Sequence, residues 1–346
     1  MLFHYTFNGI YNGKISSIEH IEPLINFTKY GYLGVELFFM ISGFVIFHSS
    51  ANRTASQFIV SRAIRLYPAY WIAVIFTSMF AINWGGTMMS VDLSQILINL
   101  TMLQNYIHVG HVDGVYWTLI YEVKFYALIF LFLILGLQKY LSAFFILWPF
   151  LMLIAFVSGY NYLPYLSGTY YFFSAGALFA IIQLNKSFLN ILSILISFSL
   201  CLLYSMDIAI SRTESMGIMF SEHVVGAIII AYFIFFILLN FKKLQLLSLP
   251  LSQTFGALTY PVYLIHAHFG YMFLSKFASE DNKLFIYILT ISIVIFVGYF
   301  IHRIIEIALY SFWKKIFMST LYIISFKMEN LLNRALFRYR KFIFLG

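Results

Sequence analysis

Long apolar runs separated by short polar connections extend along most of the chain. Runs of about 20 apolar residues have the length that crosses a hydrocarbon core, so the pattern predicts an all-α fold of membrane spans. One further apolar stretch, 93–106, is too short to cross and predicts a re-entrant or interfacial segment. The predicted spans are 31–50, 69–86, 115–137, 141–158, 164–184, 188–206, 222–241, 254–275 and 284–305.

Residues 1–10 have the character of the end of one more span, which brings the predicted bundle to about ten helices. Ten helical residues rise about 15 Å, which is half of a hydrocarbon core of about 30 Å. We therefore expect the first helix to be truncated at Met1. The connections are short and contain no soluble domain, so we predict a membrane domain over 1–313 and a basic tail over 314–346.

Composition identifies lipid as the main solvent of this protein. The sequence is 62% hydrophobic and 10% charged, whereas soluble domains are about 25% charged. The only cysteine is Cys201, which excludes an internal disulfide and any metal site built from several cysteines.

The net charge of +8 raises the possibility of a nucleic-acid partner. The Lys and Arg residues, however, are concentrated in short loops and in the tail, as they are in multi-span membrane proteins. Placing the connection 51–68 in the cytoplasm gives the best agreement with the positive-inside rule and predicts a cytoplasmic C-terminus. No nucleic-acid partner is predicted.

Glu122 is the most informative residue, because it lies in the middle of the predicted span 115–137. An ionisable side chain at the centre of a bilayer costs roughly 2.5–3.5 kcal/mol on insertion scales. Such residues usually face the interior of the bundle and take part in function. The position predicts chemistry inside the membrane domain.

His4 and the pair Arg62 and Arg65 are the next candidates. An imidazole near the outer end of the first span can act as a general base at neutral pH, although a lone histidine at a helix end is often structural. Arg62 and Arg65 are three residues apart and share a helical face, and guanidinium groups suit phosphates. The same arginines could equally be positive-inside anchors.

Two other segments carry polar residues within apolar surroundings. Glu36 begins the second span, and Ser42 and Gly43 are small enough to allow close helix packing. Tyr260, Tyr263 and His266 repeat every three residues, which predicts one polar face next to a proline, Pro261, that can kink the span.

Several common catalytic signals are absent from the sequence. It contains no Gly-rich phosphate loop, no Gly-x-Ser-x-Gly and no His-Glu-x-x-His, so neither ATP hydrolysis nor serine hydrolysis is indicated. His108, His111 and Asp113 lie close together in an outer loop, but three ligands at this spacing would need an unusual loop. We therefore predict no metal site.

Taken together, five segments resemble the acyltransferase family 3 membrane proteins, over roughly 1–306. Each segment is a weak signal alone, but the five follow the order of the family at compatible intervals. Two features differ: the family's basic residue eleven positions before His4 would precede Met1, and a common Glu-x-Pro reads Glu306-Ile307-Ala308. The segments are His4-Tyr5, Gly34 to Phe44, Phe58 to Tyr70, Trp117 to Tyr126 and Tyr260 to His266.

The resemblance implies a bacterial inner-membrane O-acyltransferase. It would take an acyl group, by family habit acetyl, from acyl-CoA on the cytoplasmic side. The acceptor would be a hydroxyl of an extracytoplasmic carbohydrate such as O-antigen, capsule or exopolysaccharide, and no tightly bound cofactor is implied.

The same resemblance suggests roles for individual residues. Arg62 and Arg65 would hold the donor phosphates, His4 would be the base or the transient acyl carrier, and Glu122 would orient or charge the site. The residues expected to line the cavity are Glu36, Ser42, Trp117, Tyr260, Tyr263 and His266.

Two other classes of function are compatible with parts of the sequence. A proton-coupled transporter or exporter also uses intramembrane Glu and His, but such proteins often contain internal repeats, and no second copy of either the Arg-x-x-Arg or the Trp117 to Tyr126 segment is present. A non-catalytic scaffold would leave Glu122 unexplained.

Overall fold

Helices account for 80% of the computed structural model, which describes residues 1–160, 162–247 and 250–345, with side chains described as far as Arg334 in the last helix. Within these residues there is no β-strand, and the all-α fold class predicted from the sequence is confirmed. The α-helices in chain order are α1 Gly9–Tyr11, α2 Glu22–Thr28, α3 Gly34–Ser50, α4 Ala55–Trp84, α5 Gly86–Met89, α6 Leu93–Asn99, α7 Trp117–Ile134, α8 Leu141–Val157, α9 Tyr170–Leu184, α10 Phe188–Met216, α11 Glu222–Leu238, α12 Lys242–Gln245, α13 Ser252–Ile265, α14 Ala267–Phe277, α15 Lys283–Phe300, α16 Tyr310–Phe317 and α17 Ile323–Leu345.

Tighter and wider helical turns connect some of these elements. The 3₁₀ turns are Lys29–Leu33, Gln104–Ile107, Gly114–Tyr116 and Gln138–Tyr140. The π-helical segments are His4–Asn8, Ile301–Ala308 and Met318–Tyr322.

Six helical stretches among the described residues are long and apolar enough to cross a membrane, so the chain is a multi-pass membrane protein. Two further apolar helices, Tyr170–Leu184 and Glu222–Leu238, are shorter. The six stretches are Glu22–Ser50, Ala55–Trp84, Gly114–Ile134, Gln138–Val157, Phe188–Met216 and Lys283–Ala308.

Several predicted spans differ from the observed helices, since α9 begins only at Tyr170 and α10 continues to Met216. The span predicted at 69–86 begins at Ala55 instead, so Arg62 and Arg65 lie on a long helix, and most of the predicted connection 51–68 is helical. The turn before Pro68 continues the helix because an α-helix can accommodate proline at the cost of one hydrogen bond. The span predicted at 254–275 is divided into α13 and α14 at His266.

The chain divides into two compact units, each assembled from separate parts of the sequence. The first unit comprises Met1–Gly31, Val60–Val123 and Leu249–Tyr322. Within it, α13 and α14 pack against α15, and the helices approach closely where Gly298 meets Val262. A hypothetical Cβ at Gly270 would lie 2.1 Å from the Tyr5 ring, so this glycine makes room for the first helical segment.

The second unit comprises Tyr32–Ile59, Lys124–Ser248 and Ile323–Gly346. Its centre is the contact between α3 and α9. A Cβ at Gly43 would lie 2.1 Å from the Phe173 carbonyl oxygen, and one at Gly176 would lie 1.9 Å from that of Met40. Helices without a hydrophobic driving force between them associate through small residues of this kind.

The tail predicted at 314–346 includes the end of α16 and the helix α17. The backbone of α17 extends to Leu345, but the side chains of Arg338, Arg340 and Lys341 lie outside the described residues. The division between a membrane domain and a tail stays a prediction.

Candidate functional site

His4 lies in the first unit and is held by residues from α14 and from its own π-helical segment. Nδ1 of His4 is hydrogen-bonded to the Tyr271 hydroxyl. The same hydroxyl oxygen accepts a hydrogen bond from Nδ2 of Asn8 at 2.9 Å. The wide turn of the π-helix His4–Asn8 brings both side chains onto this one phenol, and π-helical turns often mark functional sites.

The break between α13 and α14 lies beside His4. The rings of His4 and His266 meet edge to face, with 4.8 Å between their centroids. The Tyr5 hydroxyl donates to the His266 carbonyl oxygen at 2.7 Å, which ties the first segment to this break. Nδ1 of His266 lies 2.7 Å from the Tyr263 carbonyl oxygen. Because a carbonyl only accepts, Nδ1 of His266 carries hydrogen, and in the neutral ring Nε2 keeps its lone pair.

A polar connection continues from His266 toward Glu122. The Tyr263 hydroxyl lies 2.6 Å from Oγ1 of Thr118 and donates to the Val115 carbonyl oxygen at 2.8 Å. Thr118 and Glu122 are four residues apart on α7 and so occupy the same face of that helix. Glu122 is buried, in agreement with the bundle-interior position predicted from its cost in lipid.

A second cluster of buried polar groups lies beside this site. It is formed with residues of the 12–21 and 105–113 connections. The fully buried carboxylate of Asp113 accepts the backbone N–H groups of His268 and Val115, at 2.9 and 3.1 Å. Nδ1 of His268 donates to the Val112 carbonyl at 3.0 Å, while its Nε2 accepts from Lys14 Nζ at 2.8 Å. These contacts fix His268 as a neutral ring with a structural role.

Lys14 extends this cluster toward the tyrosine that holds His4. Its Nζ lies 5.8 Å from the centroid of the Tyr271 ring, within cation–π distance. Burial lowers the pKa of Lys14, and the negative charge of Asp113 acts in the opposite direction. Lys14 thus places its amino group beside the Tyr271 ring from the 12–21 connection.

Arg65 lies beside Tyr260, six residues before His266 on the α13 side of the break, and is already engaged by an acid. Nη1 of Arg65 lies 3.2 Å from Oε1 of Glu306, and Oε2 of Glu306 accepts from Nδ1 of His302 at 2.7 Å. The Arg65 guanidinium also lies 5.4 Å from the centroid of the Tyr260 ring. The Tyr260 hydroxyl donates to the Leu66 carbonyl at 3.1 Å. Tyr260, Tyr263 and His266 thus form the polar face of α13 that their spacing predicts.

The remaining predicted site residues have other surroundings. Arg62 donates from Nε to the neighbouring Ser61 hydroxyl at 3.3 Å. The Trp117 indole is 42% exposed and packs edge to face on Tyr121. Glu36 and Ser42 are buried residues of α3 and belong to the second unit.

Two of the three outer-loop residues weighed as metal ligands, His111 and Asp113, have protein partners. His111 accepts from Gln104 at 2.9 Å, and burial lowers the pKa of its imidazole. Asp113 is occupied by backbone donors, as described above. No group of three or more His, Cys, Asp or Glu side chains that could hold a metal occurs within 1–160, 162–247 and 250–345.

Several residues of the site were missed by reasoning from the sequence. Asn8, Lys14 and Tyr271 contact the His4 region, and Glu306 engages Arg65. Glu306 occupies the acid position of the family's Glu-x-Pro, and this was a usable signal for its importance. Tyr271 gave no sequence signal, because a tyrosine in an aromatic-rich span is not unusual. Only the fold brings it to His4.

The fold and this site together define a polytopic all-α membrane protein with a buried network of histidines, tyrosines and an acid. A family model described as an acyltransferase domain matches residues 1–304. The chain therefore belongs to acyltransferase family 3, as the sequence motifs indicated, and is a membrane acyltransferase. No curated protein and no solved structure gives a significant match.

Proposed function

We propose that this protein is an O-acyltransferase that moves an acyl group, acetyl as is usual in the family, from acyl-CoA to a hydroxyl of an extracytoplasmic carbohydrate. The observation that carries the proposal is the convergence of His4, His266 and Tyr271 in the first unit of a family acyltransferase domain. Such a cluster provides both a base and donors for an acyl-transfer step.

His4 acts as the general base in this proposal. In the tautomer with hydrogen on Nδ1, the Tyr271 oxygen accepts from both His4 and Asn8, and Nε2 of His4 keeps the lone pair. A hydrogen bond at one imidazole nitrogen fixes the reactivity of the other. Tyr271 would then hold the ring in the orientation that presents Nε2 to the acceptor hydroxyl.

The bond changes follow from this assignment. The acceptor oxygen forms a bond to the acyl carbon as the thioester C–S bond breaks, and its proton passes to Nε2 of His4. The imidazolium then returns that proton to the CoA sulfur, so the products are the ester and free CoA. His266 lies 4.8 Å away, ring to ring, and is the alternative base or a transient carrier of the acyl group.

Arg65 and Arg62 bind donor phosphates in the same proposal. Tyr260 is six residues before His266 on the polar face of α13, a rise of about 9 Å. Tyr260 contacts Arg65 and His266 contacts His4, so this face runs from the proposed donor end to the proposed base. With the donor end in the cytoplasm of a bacterial inner membrane, the acceptor would reach His4 from outside.

The function is tested with the purified protein in liposomes, using acetyl-CoA labelled in the acetyl group and a surface polysaccharide as acceptor. We expect label on the polysaccharide that is removed by mild base, as an O-ester is, and a matching release of free CoA. His4→Ala should give neither product. Transport of the polysaccharide into liposomes without acyl transfer would instead support a transporter.

A further inference from the structure

A cavity of about 340 Å³ opens on the first unit between the start of α13 and the end of α15. Its polar lining consists of Gln253, Thr254, Tyr299, His302 and Arg303. Ala257 and Ile307 complete the wall. The cavity is separate from the polar network around His4, because none of these residues contributes to that network.

The charged side of the cavity is built on the π-helical segment Ile301–Ala308. Arg303 is exposed and forms no ion pair with any side chain that the structure describes. His302 is fixed through Nδ1 by Glu306, which leaves its Nε2 for another partner. The Glu306 carboxylate also binds Arg65, so its negative charge is compensated and does not oppose an anion beside His302.

The charge of the lining fits a ligand with one negative charge. One guanidinium with hydroxyl, amide and imidazole groups provides several donors but a single full positive charge. The phosphates of CoA carry several charges and would leave most of them uncompensated here. A phosphodiester carries one, and guanidinium groups bind phosphate oxygens well.

The surface around the cavity indicates that this phosphodiester belongs to a lipid. Tyr299, Phe300 and Ile304 are exposed apolar or aromatic residues on the same helical stretch. In a membrane such side chains lie against acyl chains and the headgroup boundary. Basic pockets between membrane helices are recognised sites for anionic headgroups.

We propose that this cavity binds the headgroup of an anionic glycerophospholipid, with its phosphodiester on Arg303 and its acyl chains along Tyr299 and Ile304. The proposal does not depend on acyl transfer. Through His302 and Glu306 the bound lipid would contact the same hydrogen-bonded chain that holds Arg65.

The test is lipid retention by the delipidated full chain in detergent, measured by native mass spectrometry. Phosphatidylglycerol and phosphatidylcholine with identical acyl chains are the probes. We expect phosphatidylglycerol to bind at least tenfold more tightly, and Arg303→Gln to remove that preference. Lys315→Gln, which removes an exposed charge from α16, is the matched control and should preserve it. Equal effects of the two variants would mean general surface electrostatics and would overturn the proposal.

A second variant and two competitors test the cavity itself. Ala257→Phe fills it without changing any charge, so the folded variant should also lose the preference for phosphatidylglycerol; an unchanged preference would overturn the proposal. Inorganic phosphate and CoA should each fail to displace the lipid at equal concentration. Displacement by phosphate would identify a free-anion site, and displacement by CoA would identify a donor site, and either result refutes lipid binding.

Discussion

The imidazole rings of His4 and His266 meet edge to face although the two residues are 262 positions apart in the sequence. The two candidate bases of the proposed reaction are therefore adjacent, and substitution of either one disturbs the surroundings of the other. Their hydrogen bonds distinguish them. His266 is bonded to a backbone carbonyl of its own helix, whereas His4 is bonded to the side chain of Tyr271, which can adjust around a substrate.

We predict that His4→Gln lowers acyl transfer by at least about 10²-fold, the usual contribution of a general base. His266→Gln should lower it less, because Gln can still donate to the Tyr263 carbonyl and keep the break between α13 and α14. Turnover of labelled acetyl-CoA by both purified variants provides the measurement. A near-normal rate for the His4 variant with an inactive His266 variant would reverse the two assignments.

Tyr271→Phe is predicted to lower kcat by about tenfold with little change in the KM for acyl-CoA. The substitution removes the hydroxyl that holds His4 and Asn8 but keeps the ring that packs beside them. A role in positioning the base affects the chemical step and leaves donor binding intact. Asn8→Ala is the companion variant and should reproduce part of the loss. A fall in donor affinity without a fall in kcat would exclude this role.

The all-α fold could be predicted from the sequence because the solvent imposes it. Apolar runs of span length with few charges leave only helices or barrels, and the helical reading was confirmed. Helix ends were harder to predict. The residues between Ala55 and Pro68 carry both arginines and read as a connection, yet they form the first turns of α4.

The burial of Glu122 could be predicted because its charge is costly in lipid, and the shared face of Tyr260 and Tyr263 could be predicted from their spacing. The roles of these residues in the reaction stay predictions. Contacts between segments that are distant in the sequence give no comparable signal in the sequence. Lys14 and His268 are joined only by the fold, and Glu306 meets Arg65 across 241 positions. A single sequence gives no measure of which polar residues will meet.

Glu122→Gln is predicted to insert and fold normally but to lose most acyl transfer. The amide keeps the size and hydrogen-bonding capacity of the side chain and removes the charge. Thr118, one turn away, connects this part of α7 to Tyr263, so the charge is near the proposed path along α13. Thermal unfolding in detergent and turnover should be measured on the same preparation. Normal turnover in the stable variant would assign Glu122 a structural role.

Gly43→Ala is predicted to destabilise the second unit, by about 1–3 kcal/mol or more, because the new methyl group meets backbone that cannot move aside. The Cβ would lie 2.1 Å from the Phe173 carbonyl oxygen. Gly34→Ala on the same helix is the matched control, since its Cβ has no neighbour within 4 Å. The melting temperature of the Gly43 variant should fall while that of the Gly34 variant stays the same or rises slightly. Equal melting temperatures would contradict the close packing of α3 and α9.

Glu306→Gln is predicted to raise the affinity for acyl-CoA, whereas Arg65→Lys should lower it. Glu306 holds the Arg65 guanidinium at 3.2 Å, so donor phosphates must compete with a carboxylate for the same cation. Gln keeps the shape and a hydrogen bond but removes the competing charge, and Arg65 becomes available. Lysine at position 65 keeps the charge but cannot form the planar fork that binds phosphate oxygens.

Binding of non-hydrolysable acyl-CoA to the purified variants measures both effects, with Lys315→Gln as a control for general electrostatics. If Glu306→Gln weakens binding as Arg65→Lys does, then the ion pair orders Arg65 for the donor; if neither variant changes binding, Arg65 has no part in the donor site.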